Sequence, residues 1–396
     1  MRFSKRASWD LSVSDVADAT RRARDAHADP IDLTESNPTR VGLASIAGLP
    51  ALLARDEADR YDPDPCGMLG AREAVAAYYA ERGYAVDPSR VILSASTSEA
   101  YAWLFKLLCD DGDEVLVPTP SYPLFSYLAG LEGARVETYP LVRADGFRVD
   151  TSELARKARS PRARAVVVVA PNNPTGTLLH EEDARAVEAI AAEHGLALIV
   201  DEVFSDYVWS PSPHLRRSFV GASTCATFVL SGLSKVCCAP GLKLGWMVSS
   251  GPDALVREAA ARLEVIADTF LSVATPVQIA LPDILARRSA IQAEVRARIE
   301  TNRAELARAV GASSSKSVRV VPSDGGWTSL VEVPRVMGED AWVTLLAERD
   351  GVLVQPGFFF DLDDGGTLAV SLIVEPDRFR RGVASLVARV DAVLAG

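Results

Sequence analysis

The chain has 396 residues, 48% of them hydrophobic, and a formal net charge of −11. Its length exceeds one ordinary domain, so two lobes around a large core are expected. The acidic balance, with no block of lysines or arginines beyond short helix faces, argues against nucleic-acid binding.

At the start, residues 1–9 carry basic side chains with no apolar stretch behind them, unlike a signal peptide, and no apolar run is long enough to span a bilayer. Five cysteines, scattered apart from the Cys237-Cys238 pair, point to a reducing, cytoplasmic setting. The four histidines, His27, His180, His194 and His214, show no metal-ligand spacing. Residues 91–93 read as a buried strand, and 97–108 follow with helical periodicity. The turn 110–113 leads to a strand over 114–118, and the β-branched run 165–170 has the composition of a central strand. An amphipathic helix over 181–194 ends at Gly195, a good C-cap. Strands over 196–200, 228–230 and 244–248 continue the series.

Strands alternating with helices predict an α/β fold, a mostly parallel sheet with helices on both faces. In such sheets ligands sit at the carboxyl ends of the strands. From 274 to 310 the pattern is helical and charged, as in one long connector helix. Strands over 318–321, 329–333, 352–354 and 368–373, a helix near 340–350 and a last helix from Pro376 then predict a smaller α+β lobe. No internal repeat or low-complexity segment interrupts the chain.

Residues 94–99, 171–176, Asp201 and 231–235 each follow a strand, so they can converge on one crevice. Pro171-Asn172-Asn173-Pro174-Thr175-Gly176, Asp201-Glu202-Val203 and Ser231-Gly232-Leu233-Ser234-Lys235, with Lys243 behind it, together resemble the core of class I/II aminotransferases. These are fold-type-I enzymes that use pyridoxal 5'-phosphate, among them alanine and aspartate aminotransferases, and the resemblance covers nearly the whole chain. Such a cofactor needs an amine for a Schiff base, a carboxylate for its pyridine nitrogen and an anion site for its phosphate. The resemblance implies that Lys235 is the amine and the general base at the substrate's α-carbon, and that Asp201 pairs with the pyridine nitrogen. It implies that Asn173 bonds the ring O3', that Tyr122 stacks on the ring, and that Ser96, Thr97, Ser234 and Lys243 hold the phosphate. Ser96 and Thr97 stand where a strand hands over to a helix, a natural anion site. Tyr61 matches a tyrosine that reaches the phosphate of a neighbouring subunit, which implies a homodimer with shared sites. By residue type alone, Asp201 also reads as a turn aspartate, Tyr61 as a packed core tyrosine and Arg40 as a solvated loop residue.

The pattern departs from the family at two positions. Phe204 stands where tyrosine is common, which keeps the shape and removes a donor to O3'. Ala369 stands where an arginine pairs with the substrate's α-carboxylate, so the bidentate anchor is absent. Arg40 and Arg378 are the candidate replacements, and Ser36, Arg40 and Trp327 the candidate substrate residues. The expected reaction is transfer of an amino group from an amino acid to a 2-oxo acid. The alternatives are a non-transaminating enzyme of the same fold (lyase, decarboxylase or cyclising synthase) and a non-catalytic binding or regulatory protein. The expected organisation is an arm over 1–48, a large cofactor-binding domain over 49–285 and a small domain over 286–396.

Overall fold

The computed structural model describes residues 1–396 apart from 44, 45, 211, 272, 363 and 364. The chain begins with α1 (Asp15–Ala26), whose first turn is capped by the Ser14 hydroxyl, and β1 (Ile31–Asp32). Next come α2 (Leu49–Leu53), α3 (Leu69–Ala80), β2 (Val91–Ser94), α4 (Thr97–Leu108), β3 (Glu114–Thr119), α5 (Phe125–Leu131), β4 (Arg135–Val142), β5 (Arg148–Val149) and α6 (Thr151–Ala158). They lead to β6 (Ala163–Val169), α7 (Glu181–Glu193), β7 (Ala197–Asp201), β8 (Thr227–Gly232), the short α8 (Leu233–Val236), β9 (Gly245–Ser250) and α9 (Asp253–Phe270). The remaining elements are α10 (Thr275–Ala286), α11 (Arg288–Ala312), β10 (Arg319–Val320), β11 (Thr328–Glu332), α12 (Glu339–Asp350), β12 (Val352–Leu353), β13 (Gln355–Pro356), β14 (Thr367–Ser371) and α13 (Pro376–Ala395).

The large sheet has the order β2-β9-β8-β7-β6-β3-β4-β5. Its central strands are β-branched because both faces are covered: Val166, Val168, Leu198 and Val200 pack into one core, while Val167, Ile199, Phe228 and Leu230 pack into the other. The pairs β8-β7, β7-β6, β6-β3 and β3-β4 are parallel. β9 runs antiparallel to both its neighbours, β8 and β2, so β2 points the same way as β8. The 244–248 strand therefore belongs to the sheet but reverses its direction. As a result the ends of β2, β6, β7 and β8 and the start of β9 meet at one edge.

The small sheet, β10-β11-β14-β13, is antiparallel throughout. β1 pairs in parallel with β12, and α1 packs on α12. The 274–310 stretch forms two helices rather than one. Near the break the guanidinium groups of Arg287 and Arg288 bond the carbonyls of Asp283 (2.6 Å) and Leu285 (2.8 Å), so these acceptors are satisfied by side chains and the helix need not continue. α9 is an element the sequence reading passed over, although its buried Val256, Leu263 and Ala267 fall at helical spacing. Among the described residues no helix is long and apolar enough to cross a membrane, and no acid, histidine and cysteine cluster could hold a metal ion.

Candidate functional site

At the shared edge of the large sheet lies a cavity of about 650 Å3. Each large-sheet motif enters it from the end of a strand. After β2, Ser96 caps α4 by accepting a hydrogen bond from the Glu99 N–H (3.1 Å), and Glu99 in turn accepts from the Ala95 N–H. Ser96, Thr97 and Ser98 all line the cavity, so the free N–H groups of the first helical turn face it. After β8, α8 brings Ser234 and Lys235 to the same wall. Gly232 and Gly245 lie between these pieces. A Cβ on Gly245 would stand 3.1 Å from Ser96 C and Thr97 N, and one on Gly232 would stand 2.9 Å from Gly245 Cα. The two glycines therefore let three backbone segments close into a cradle that any side chain would crowd.

Asp201 ends β7. Its carboxylate accepts from the Val203 N–H (3.1 Å) and from the Tyr101 hydroxyl (3.3 Å). Burial raises its pKa to about 6, opposed by these two bonds and by the charge of Lys235. Burial also lowers the Lys235 pKa, opposed by Cys238 and Asp201. The Lys235 ammonium sits 5.0 Å from the Trp327 ring centre and 5.5 Å from that of Phe204. The two rings meet edge to face, and the Tyr207 hydroxyl donates to the Lys235 carbonyl (2.7 Å), which fixes the backbone beneath the amine. The amine is thus held among aromatic faces, its pKa lowered by burial, in the same cavity as the Asp201 carboxyl.

The 171–176 turn couples this edge to the small sheet. Asn172 accepts from the Thr175 hydroxyl (3.0 Å), and Gly176 has φ +69°. A Cβ there would lie 2.5 Å from the Gly325 carbonyl. The Gly176 carbonyl accepts from the N–H groups of Asp324 (2.9 Å) and Gly325 (2.8 Å), which positions Trp327 just beyond. Asn173 lines the cavity and accepts from the Thr328 hydroxyl (3.4 Å).

The cavity brings together Ser36, Ser96, Thr97, Tyr122, Asn173, Asp201, Phe204, Ser234, Lys235 and Trp327. The other expected residues lie outside its lining. Arg40 is 73% exposed, outside the cavity lining, and faces Glu35 at 3.5 Å. Arg378 is also occupied, bonding Asp29 (2.6 Å) and the Pro30 carbonyl (2.5 Å). Lys243 is exposed, where it ends the short helical turn Pro240–Leu242 with φ +51°. Tyr61 is 71% exposed. Sequence reasoning missed Tyr101, Thr328, Gln355 and Ser371, which also line the cavity. Tyr101 was within reach, since it follows Thr97 by one helical turn and so shares its face. The other three sit on strands whose pairing the sequence does not declare.

A cradle at a helix N-terminus, an acid at a strand end, an aromatic side chain in the cavity wall and an amine of lowered pKa form a set that fits a flat, phosphate-bearing aldehyde cofactor. The family model described as aminotransferase class I and II matches residues 31–386. The arginine–pyruvate transaminase of Pseudomonas aeruginosa is 29% identical over 328 residues, 80% of this chain and 79% of that protein. The glutamate–pyruvate aminotransferase of Escherichia coli K12 is 29% identical over 223 residues, 56% of this chain and 55% of that protein. Among solved structures, alanine aminotransferase from Pyrococcus furiosus superposes with a TM-score of 0.87 at 23% identity, covering 99% of this chain and 100% of that one. At that identity the likeness speaks to the fold alone.

Proposed function

Since the chain belongs to the aminotransferase class I and II family, we propose that the cavity at the edge of the large sheet is its active site and Lys235 the residue that carries the cofactor. The protein is a pyridoxal-phosphate-dependent enzyme of fold type I, and it transfers amino groups between amino acids and 2-oxo acids. When bound, pyridoxal phosphate supplies an electron-withdrawing ring conjugated to the substrate's α-carbon.

The chain's own residues do the rest. The α4 N-terminus at Ser96 and Thr97, with the Ser234 hydroxyl, would hold the phosphate. Asp201 would accept a hydrogen bond from the protonated pyridine nitrogen, a cationic partner that would offset the cost of its burial. The Tyr101 hydroxyl keeps that carboxylate aimed. Tyr122 and Asn173, the latter bonded by the Thr328 hydroxyl, both line the cavity; Tyr122 would stack on the cofactor's ring and Asn173 would bond its O3'. Phe204 offers no hydroxyl there. Lys235, whose pKa burial lowers, would take the proton from the substrate's α-carbon.

The observation that carries this reading is the placing of Lys235 and Asp201 in one cavity, each with its pKa moved toward neutrality. Borohydride treatment of the holoenzyme should fix the cofactor to the peptide containing Lys235. Label on Lys243 or another lysine would overturn the assignment.

The expected assembly is a homodimer in which the exposed Tyr61 crosses to the neighbouring subunit's phosphate. An arm over 1–48 and domains over 49–285 and 286–396 describe the chain, supported by the pairing of β1 with β12 and of α1 with α12. The five unpaired thiols support a reducing, cytoplasmic location.

A further inference from the structure

Lys235 stands on α8, a helix of four residues that cannot hold its own end. Cys238 follows in the left-handed region (φ +53°) and Pro240 has no N–H to offer, so the helix stops. The Leu233 carbonyl accepts from the N–H groups of Cys237 (3.1 Å) and Ala239 (3.0 Å), but the Lys235 carbonyl receives a long bond, 3.5 Å, from the Cys238 N–H. The last carbonyls of a helix need donors from outside it. Two side chains supply them here: the Tyr207 hydroxyl donates to the Lys235 carbonyl (2.7 Å), and the Gln292 amide donates to the Val236 carbonyl (3.1 Å).

Gln292 lies on the buried stripe of α11 with Ile291, Val295 and Ile299, where an apolar side chain would fill the space. Burying an amide is costly unless it is bonded, and this one is bonded at both ends. Its Nε2 donates to the Val236 carbonyl and to the Asp206 carboxylate (2.9 Å), and its Oε1 accepts from Arg296 (3.4 Å), which fixes the way the amide faces. Asp206 is held in turn by the Tyr78 hydroxyl (2.9 Å) and by Arg82 (3.4 Å). Further along α11 the buried Asn302 donates to the carbonyls of Leu372 (2.8 Å) and Val374 (2.7 Å), just past Ser371 in the cavity wall. One helix thus grips α8 with one buried amide and the end of β14 with another, and so sets where Lys235 stands relative to the small sheet.

We propose that Gln292, together with Tyr207, is a positioning residue for Lys235: by capping the open carbonyls of α8, the two side chains hold the lysine backbone in place, so that its amine takes the substrate's α-proton from a fixed position. A general base works only from a narrow range of positions, and a small displacement slows proton transfer more than it weakens substrate binding. The proposal rests on the reading of Lys235 as the cofactor-carrying base.

The test uses Gln292→Met, which keeps the length and apolar fit, and Tyr207→Phe, which keeps the ring against Trp327 (5.2 Å between centres). The first readout is amide hydrogen exchange of the peptide over 233–239, in the holoenzyme and in the cofactor-free protein. Each variant should exchange about 10-fold faster there, because a carbonyl cap is lost. The second is steady-state kinetics with the common amino acid that the parent converts fastest, with and without deuterium at its α-carbon. Each variant should lose about 10-fold in kcat with KM within about 3-fold, and its isotope effect should rise because proton transfer limits turnover more. Pyridoxal phosphate affinity should not change. Tyr78→Phe takes a buried bond from Asp206 but none from α8, so it should lower the melting temperature and leave kcat and the exchange of 233–239 within about 2-fold of the parent. An equal loss of kcat in Tyr78→Phe would mark a general loosening and overturn the proposal. So would unchanged exchange over 233–239, or parental kcat, in both Gln292→Met and Tyr207→Phe. In either case borohydride label on Lys235 would leave the reading of that lysine standing, and label elsewhere would remove both.

Discussion

Replacing Asp201 by asparagine separates two effects that the same carboxylate carries. In the cofactor-free protein, burial moves its pKa from the ordinary 3.8 to about 6. That difference corresponds to about 3 kcal/mol. The folded state holds the proton more tightly than the unfolded chain does. This contribution to stability is therefore fully present below pH 3.8 and is lost as pH rises through about 6. The two donors bond different oxygens of the carboxylate, so the asparagine side chain keeps an acceptor for only one of the Val203 N–H and the Tyr101 hydroxyl, but it has no charge to bury. Apo Asp201→Asn should thus gain on the apo parent as pH rises, by up to about 3 kcal/mol between pH 4 and 7. The assay is urea unfolding across that range, read as the difference in midpoint, because a chain of this size need not unfold in one step. With pyridoxal phosphate bound the sign should reverse: the parent has a pyridinium to pair with its carboxylate, and the variant does not. A midpoint difference that is constant with pH, or a variant that binds the cofactor as tightly as the parent and turns over normally, would refute the reasoning.

Glu202 follows the same sign rule in a different place. It is buried, accepts from Ser218 and Phe219 (both 2.7 Å), and has its pKa raised to about 7 by burial, so Glu202→Gln should become progressively more stabilising from pH 5 to 8 in thermal melts. Gly245→Ala places a methyl 3.1 Å from the backbone of Ser96 and Thr97, and should lower pyridoxal phosphate affinity by about 10-fold with a stability loss of about 1–3 kcal/mol; unchanged affinity in a cofactor titration would remove that turn from the phosphate site. Tyr61→Phe should weaken cofactor binding by about 10-fold. Mixed dimers of Tyr61→Phe with Lys235→Ala should recover parental affinity in half of the sites, and failure to recover it would rule out a tyrosine crossing the interface.

Amino-acid order alone determined the parts of this protein whose cause is local. Helix α4 is legible because its cap, first turn and apolar spacing lie within twelve residues. β6 and β7 are legible because a strand buried on both faces must be continuously apolar, and Asp201 stands out because it ends such a run. The 171–176 turn carries its own hydrogen bonds and its own glycine. The motif around Lys235 could be read for the same reason.

Tertiary structure alone decided what depends on pairing across long stretches of chain. The reversal of β9 comes from its pairing between β8 and β2, which no local pattern records. The contact of Tyr101 with Asp201 joins residues a hundred positions apart. Arg40, a candidate for the pocket and also a loop residue by type, stands exposed beside Glu35, and the pairing of β1 with β12, more than three hundred residues away, fixes the segment just before it. Ala369 was visible as a missing arginine, but only the pairing of β14 with β11 and β13 puts Leu330 and Gln355 opposite it. Side-chain alternation says which residues share a face of one strand, and only the register between strands says which groups meet across it.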